Sequence, residues 1–448
     1  MNQSRRTEKP VLTDGPSEKG FYVGLYLEHM EESSFLYEQR LGLFEDPQIT
    51  WTDIEDFEER LEAHIDALVV GEDLALDVCR MRAAEGDFGE LHSAIRVFCR
   101  QKRLDYLQEA LEEAELNDDS IRSITEALKH ELPAEWQDLI RKMLLFDEVD
   151  LIKIAATVAA FKRLPFGDEL LKIVQDKKNN PVPEVIHAIG RLGEKRAQDL
   201  LLTLLKDAEG KIAYEISLAL LRMGHLNILG NLLKTAREKE WPFILIGIAG
   251  NKEHVPILHD LYYKRVKSPN LLLCLGFLGD MSSIPILVDS LLDEQSGNIA
   301  AISLNLITGA DLYEEVFIPE EIDEDTLFED EVEKVKKGEP LNENSEPHGA
   351  RVIQLSRNPD AWQKWWQDNS KRFDPSLCYR NGKPFSKASI IENLLSENSP
   401  HVVRKLAHEE WVIKSGNNLP FETDLPVSMQ RKLLMDIQNS KAGMEHKK

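Results

Sequence analysis

An all-α fold, arranged as a solenoid of short helical hairpins, is what the sequence predicts, and three observations predict it. Apolar residues recur at helical spacing along most of the chain. Turn glycines recur at a near-constant interval, at Gly193, Gly224, Gly250, Gly279 and Gly309, separated by 31, 26, 29 and 30 residues. The composition, 42% hydrophobic but only 7% aromatic over 448 residues, favours aliphatic helix seams over a β-sandwich.

Residues 1–20 are polar, with Arg5, Arg6, Lys9 and Asp14 where a secretory apolar stretch would lie, and read as a disordered tail. Residues 21–117 read as a helical cap. A first helix begins near Leu25 and carries Tyr26, Met30, Phe35 and Leu36. A second, with Ile54, Phe57, Leu61, Ile65 and Leu68 on one stripe, has Thr52 and Glu55 spaced as a capping box.

Residues 118–311 read as the repeats. Asp118–Phe146 is a less regular unit, and Asp150–Asp176 turns at Leu164-Pro165. In the next hairpin Pro183 opens a helix with Val185, Ile186, Ile189 and Leu192 on one face. Gly193 ends it, and Ala197, Leu200, Leu201, Leu204 and Leu205 return along the seam. Ile212–Leu233, Trp241–Tyr262 and Leu271–Leu292 follow the same grammar. The interval is short for the HEAT class of helical repeats, at about 40 residues, yet holds two short helices. Such units bury their apolar faces only by stacking, which predicts an elongated surface.

Composition then shifts. Asp311–Glu346 holds fifteen acidic and three basic residues, a net of −12 within a chain of net charge −25. Residues 312–350 therefore read as an acidic linker, partly disordered. Residues 351–448 read as a small helical module, with helices expected at Asp360–Asn369, Ser386–Leu395, Pro400–Lys414 and Val427–Ile437.

The same composition narrows the function. No run of eighteen apolar residues exists, so no membrane span is expected and the chain is placed in the cytoplasm. The acidic balance disfavours general nucleic-acid binding, which needs a basic track to release counterions. Cys79, Cys99, Cys274 and Cys378 lie far apart and fit reduced thiols. His254 and His259, five apart, do not share a helix face as metal ligands. No nucleophile elbow, phosphate loop or zinc-protease motif occurs, so no catalytic residue, metal or cofactor is assigned. Trp362, Trp365 and Trp366, in AWQKWWQ, are the candidate partner-binding residues, because aromatic clusters are enriched at interface hot spots. Their alternative role is to anchor the core of the module.

Three segments carry a resemblance: ERLEAHIDAL (Glu59–Leu68), ITGADL (Ile307–Leu312) and AWQKWWQDNSKRFDPSLCYRNGKPFS (Ala361–Ser386). Together they resemble the HEAT-repeat proteins of Gram-negative bacteria encoded beside type VI secretion effectors. The resemblance runs roughly over Phe21–Leu434 and implies an accessory role, as an effector-loading partner, adaptor or immunity-like protein.

The leading expectation is a non-catalytic protein-interaction scaffold that docks its partner on the concave face of the repeats between Leu151 and Leu292. The rival is an enzyme on a HEAT scaffold, an alkyl-base DNA glycosylase or a lyase. A continuous Lys/Arg channel holding one buried carboxylate would distinguish the glycosylase.

Overall fold

The computed structural model describes residues 17–264, 268–319, 329–341, 347–418 and 421–435. Its first α-helices are α1 (Glu18–Leu43), α2 (Glu55–Val70), α3 (Glu72–Glu85), α4 (Phe88–Arg100), α5 (Leu104–Glu113), α6 (Asp118–Glu131) and α7 (Gln137–Leu144). Then follow α8 (Val149–Lys162), α9 (Gly167–Asp176), α10 (Pro183–Leu192), α11 (Gln198–Leu204), α12 (Gly210–Arg222) and α13 (Leu229–Thr235). The remainder are α14 (Pro242–Ala249), α15 (Val255–Lys264), α16 (Pro269–Leu278), α17 (Ile284–Asp289), α18 (Gly297–Thr308), α19 (Glu329–Lys337), α20 (Pro359–Asn369), α21 (Lys387–Leu395) and α22 (His401–Ser415). Residues 427–435 are also helical. Two small strand pairs are the extended structure among the described residues, and the fold is all-α.

Local chemistry explains the hairpins. Pro183 stands in the first turn of α10, Val185, Ile186 and Ile189 are fully buried, and Gly193 closes the helix in the left-handed region at φ 67°. Gly224, Gly279 and Gly309 repeat that device at φ 93°, 70° and 57°, a backbone state that costs glycine little. Gly250 departs from it and ends α14 in extended backbone. After the turns at Gly193, Gly224, Gly250 and Gly279 a short 3-10 segment, such as Lys195–Ala197 or Met281–Ser283, leads into the return helix.

Alternate helices then pack side by side. The described residues form two compact units, one of those up to 230 with those from 393 onward, the other of those between 231 and 392. In the first, α4 packs on α6, α6 on α8, α8 on α10 and α10 on α12. In the second, α14 packs on α16 and α16 on α18. Small residues at the crossings permit the close approach. A Cβ on Gly190 would lie 2.8 Å from the Ala219 Cα, one on Gly247 2.9 Å from the Cys274 Cα, and one on Gly276 2.8 Å from the Ser303 Cβ. Helix propensity alone favours alanine over glycine by about 1 kcal/mol. Gly276→Ala is nonetheless expected to destabilise the second unit by about 1–3 kcal/mol, the usual cost of overpacking. A thermal melt followed by circular dichroism checks this, and a raised midpoint would mean that the crossing has room.

The units do not follow the boundaries expected from composition. Residues 351–392 fold with the second row of helices, and the described residues beyond 392 fold with the first. The physical reason is burial: Val403, Ala407, Val412, Phe421 and Val427 are almost inaccessible, and so short a segment could not cover them alone. The acidic linker is also partly structured. Strands β1 (Tyr313–Pro319) and β2 (Gly349–Leu355) pair antiparallel from Tyr313 opposite Leu355 to Pro319 opposite Gly349. The middle of the acidic run, 320–328, and residues 342–346 lie outside the described residues.

Two local expectations change as well. Thr52 does not cap α2, whose N-cap is Ile54 without a side-chain bond. Instead the Thr52 hydroxyl donates to the Glu397 carbonyl, and Glu55 pairs with Arg431. A complete capping box stands at α4, where Asp87 and Glu90 satisfy each other's backbone N–H. On α1, Met30 and Leu36 are fully buried, but Phe35 is exposed.

Candidate functional site

One cation per repeat stands at the same place in the first unit. Lys129 and Arg222 occupy the last turns of α6 and α12, Arg191 the last turn of α10, and Arg163 the C-cap of α8. Their intervals, 34, 28 and 31 residues, are those of the repeat. A cation at a helix C-terminus meets the negative end of the macrodipole and the last unbonded carbonyls, which favours it there. Arg222 also reaches back to the preceding repeat, donating from Nε to the Gly190 carbonyl in the last turn of α10 at 3.2 Å. The row continues at α4, where Arg96 and Arg100 are answered by Glu62 of α2 and Glu131 of α6.

Along α6 to α12 the answering carboxylates come from far downstream. Glu409 of α22 takes Arg222 and, at 3.1 Å, Arg191. Glu422 takes the other arm of Arg191 and, at 2.8 Å, Arg163. Asp424 takes Lys129, which also holds Glu126 of its own helix at 3.0 Å. Lys129, Arg191 and Glu422 are each more than nine-tenths buried. The C-terminal ends of α6, α8, α10 and α12 therefore meet Glu409, Glu422 and Asp424 of the same unit.

The segment carrying these carboxylates has its own anchors. Arg404, fully buried, donates to the Leu394 carbonyl at 3.0 Å and to Gln430 Oε1 at 2.9 Å, and lies 4.1 Å over the Trp51 ring. The Trp51 Nε1–H donates to the Ser396 carbonyl at 3.0 Å. Glu58, paired with Arg40 at 2.8 Å, accepts the Val427 backbone N–H at 2.6 Å.

Electrostatics at this seam divide by residue type. Burial raises the cost of ionising Glu409 and Asp424, yet the neighbouring cations, Arg222 for Glu409 and Lys129 for Asp424, outweigh it and hold both carboxyls well below the usual range. Burial opposes the charge on Lys129 also, but Asp424 and Glu126 raise its pKa. The histidines go the other way. Burial lowers His92 strongly, and His130 and His401 to about 4, so all three are neutral at pH 7. A cavity of about 220 Å³ opens among Lys129, His187, Arg191, His401 and His408. The buried His401 Nδ1 and His408 Nε2 have no hydrogen-bond partner among the described residues.

The chain matches no family model and no curated protein.

In the second unit the tryptophans separate. Trp362 is only 1% exposed, and its Nε1–H donates to the Ser356 carbonyl at 2.7 Å. It is a core anchor with no surface to offer a partner. Trp365 and Trp366 are half-buried, with ring centroids 6.3 and 5.2 Å from that of Phe373. Trp366 alone of the three borders an open cavity of about 560 Å³, beside Lys252, His259, Asp280, Met281 and Pro375. His254 caps its own turn by accepting the Asn251 N–H, whereas His259 hydrogen-bonds Ser283.

Among the described residues no group of three or more His, Cys, Asp or Glu could hold a metal, and no helix is long and apolar enough to cross a membrane. Cys79, Cys99 and Cys274 are buried thiols, and Cys378 is half-buried. The row of cations is continuous, but each member is matched by carboxylates. It does not form the net positive channel that phosphate neutralisation needs.

Proposed function

We propose that the chain is a non-catalytic protein-docking scaffold, acting as an accessory component of type VI secretion that loads or restrains an effector. One observation supports the docking part of this reading. Stacked hairpins of the first unit already seat a polypeptide segment remote in sequence, by one cation per repeat meeting carboxylates of that segment. A helical-repeat surface of this kind recognises extended segments through regularly spaced side chains. In the second unit, the cavity beside Trp366 and Met281 supplies an aromatic and thioether surface of the type enriched at protein interfaces. The secretion link comes from the resemblance alone.

The test is direct binding of the purified full chain to the purified products of genes encoded beside it, by titration calorimetry. A saturable complex with a secretion effector or adaptor supports the reading. Heat of dilution alone with every neighbouring product removes the secretion role.

A further inference from the structure

We infer that the cation row Lys129, Arg163, Arg191 and Arg222 is an exchangeable seat for carboxylates, which takes an acidic segment of a partner protein in place of Glu409, Glu422 and Asp424. The inference rests on the docking reading above and names the chemistry its partner must have.

Geometry carries it first. The four cations recur with the repeat, so they form a ladder rather than a cluster, and a ladder reads a chain laid across it. The present occupant shows what that chain must carry: three carboxylates meet the four rungs, with Arg191 shared between two of them and Glu409 and Glu422 each shared between two rungs. Guanidinium groups hold carboxylates in a planar fork, and three of the four rungs are arginine.

The seam is also of a kind that can open. An ion pair taken out of water gives up hydration that its Coulomb attraction only partly returns, so a charged seam is less cohesive than an apolar one of equal area. This one borders an open cavity of about 220 Å³ and leaves His401 Nδ1 and His408 Nε2 without partners among the described residues. Asp424, the carboxylate on Lys129, keeps 39% of its side chain exposed. An incoming carboxylate thus has a place from which to begin. Nucleic acid is the less fitting polyanion. Glu126 stays beside Lys129 whatever the occupant, and the chain carries a net charge of −25, which repels a phosphate backbone at long range.

Fluorescence anisotropy of a labelled oligoglutamate peptide, titrated with the full chain at low salt, tests the exchange. The triple variant Glu409→Gln, Glu422→Gln, Asp424→Asn is expected to bind the peptide about tenfold more tightly than the unaltered chain, with oligoglutamine unbound. Adding Arg191→Gln is expected to abolish the gain. Should circular dichroism show the triple variant unfolded, Asp424→Asn alone, with its carboxylate at the exposed end, is expected to give about a threefold gain. In the unaltered chain, saturating oligoglutamate is expected to speed hydrogen exchange of amides 421–430. A folded variant that binds no more tightly than the unaltered chain would overturn the inference, as would a single-stranded oligonucleotide binding tighter than the peptide. If the peptide fails while a neighbouring gene product still binds, the ladder is not the seat and the docking reading stands. If the peptide binds while no gene product does, the seat stands and the secretion role falls.

Discussion

Truncating Arg191 to alanine is expected to destabilise the first unit by about 3–5 kcal/mol, the usual cost of removing one partner of a buried ion pair. The magnitude follows from what is left behind. Glu409 and Glu422 both lose an arm of the guanidinium, and Glu422 is itself 6% exposed. Each keeps one further cation, Arg222 and Arg163 respectively, so the segment should stay folded but loosen. Adding Glu409→Gln and Glu422→Gln should not restore the loss, because it strips Arg222 and Arg163 of their carboxylates in turn. Native-state hydrogen exchange of the α10 amides reads the stability of this unit without assuming that both units unfold together. A loss below about 1 kcal/mol, the range of exposed pairs, would show that the seam is wetter than its burial implies.

Acid is expected to act on the same unit more steeply than on the second. His130 and His401 are held neutral, burial being the main cause, with values of about 4 against an ordinary 6.5. His130 faces Glu126, Lys129, Arg40 and Arg96, and His401 faces Lys405, Arg404, Asp424 and Arg40. Between pH 6.5 and 4 the unfolded chain therefore binds protons that the folded one refuses, and stability falls as pH falls. Each histidine contributes a loss on the order of 2 kcal/mol by pH 5. Below that window the carboxylates take over. Glu131 is held at about 2 against burial by Arg100 and Arg96, so its contribution is intact above about pH 4.5 and is lost as pH drops toward 2. Exchange of α6 and α10 amides at pH 7 and pH 5 measures the slope. The double variant His130→Gln, His401→Gln should reduce it to the part due to His92, and an unchanged slope would assign the effect to other groups.

Much of the architecture is legible because its signals are local. Apolar spacing and left-handed glycines at Gly193, Gly224, Gly279 and Gly309 act within a few residues of themselves, and they place the hairpins correctly. The tight crossings at Gly190, Gly247 and Gly276 were equally readable, recurring at 57 and 86 residues from the first, but small residues inside apolar helices look like filler until a neighbouring backbone is seen. The docking seam was half legible. Lys129, Arg163, Arg191 and Arg222 fall on the repeat interval, yet each alone looks like a solvated charge. Arg191 meets its carboxylates 218 and 231 residues away, and nothing in a single sequence joins such positions. The ribbon of β1 and β2 was hidden for a similar reason. Glu314, Glu315, Arg351 and Gln354 give neither strand a clean apolar face, and the pairing spans the acidic run.

The return of the chain to its first unit has a consequence for synthesis. Lys129 and Asp424 are 295 residues apart, with the whole second unit made between them. At roughly 5–20 residues per second, helices up to α12 wait on the order of 10–40 s after leaving the ribosome before their counter-charges emerge. During that interval three uncompensated arginines, and a Lys129 answered only by Glu126, travel beside anionic ribosomal RNA. Closure of so distant a contact is the slow kind, because the loop entropy is lost before the contact is gained. A nascent chain halted before α22 would be a sticky, basic-faced fragment of an otherwise acidic protein.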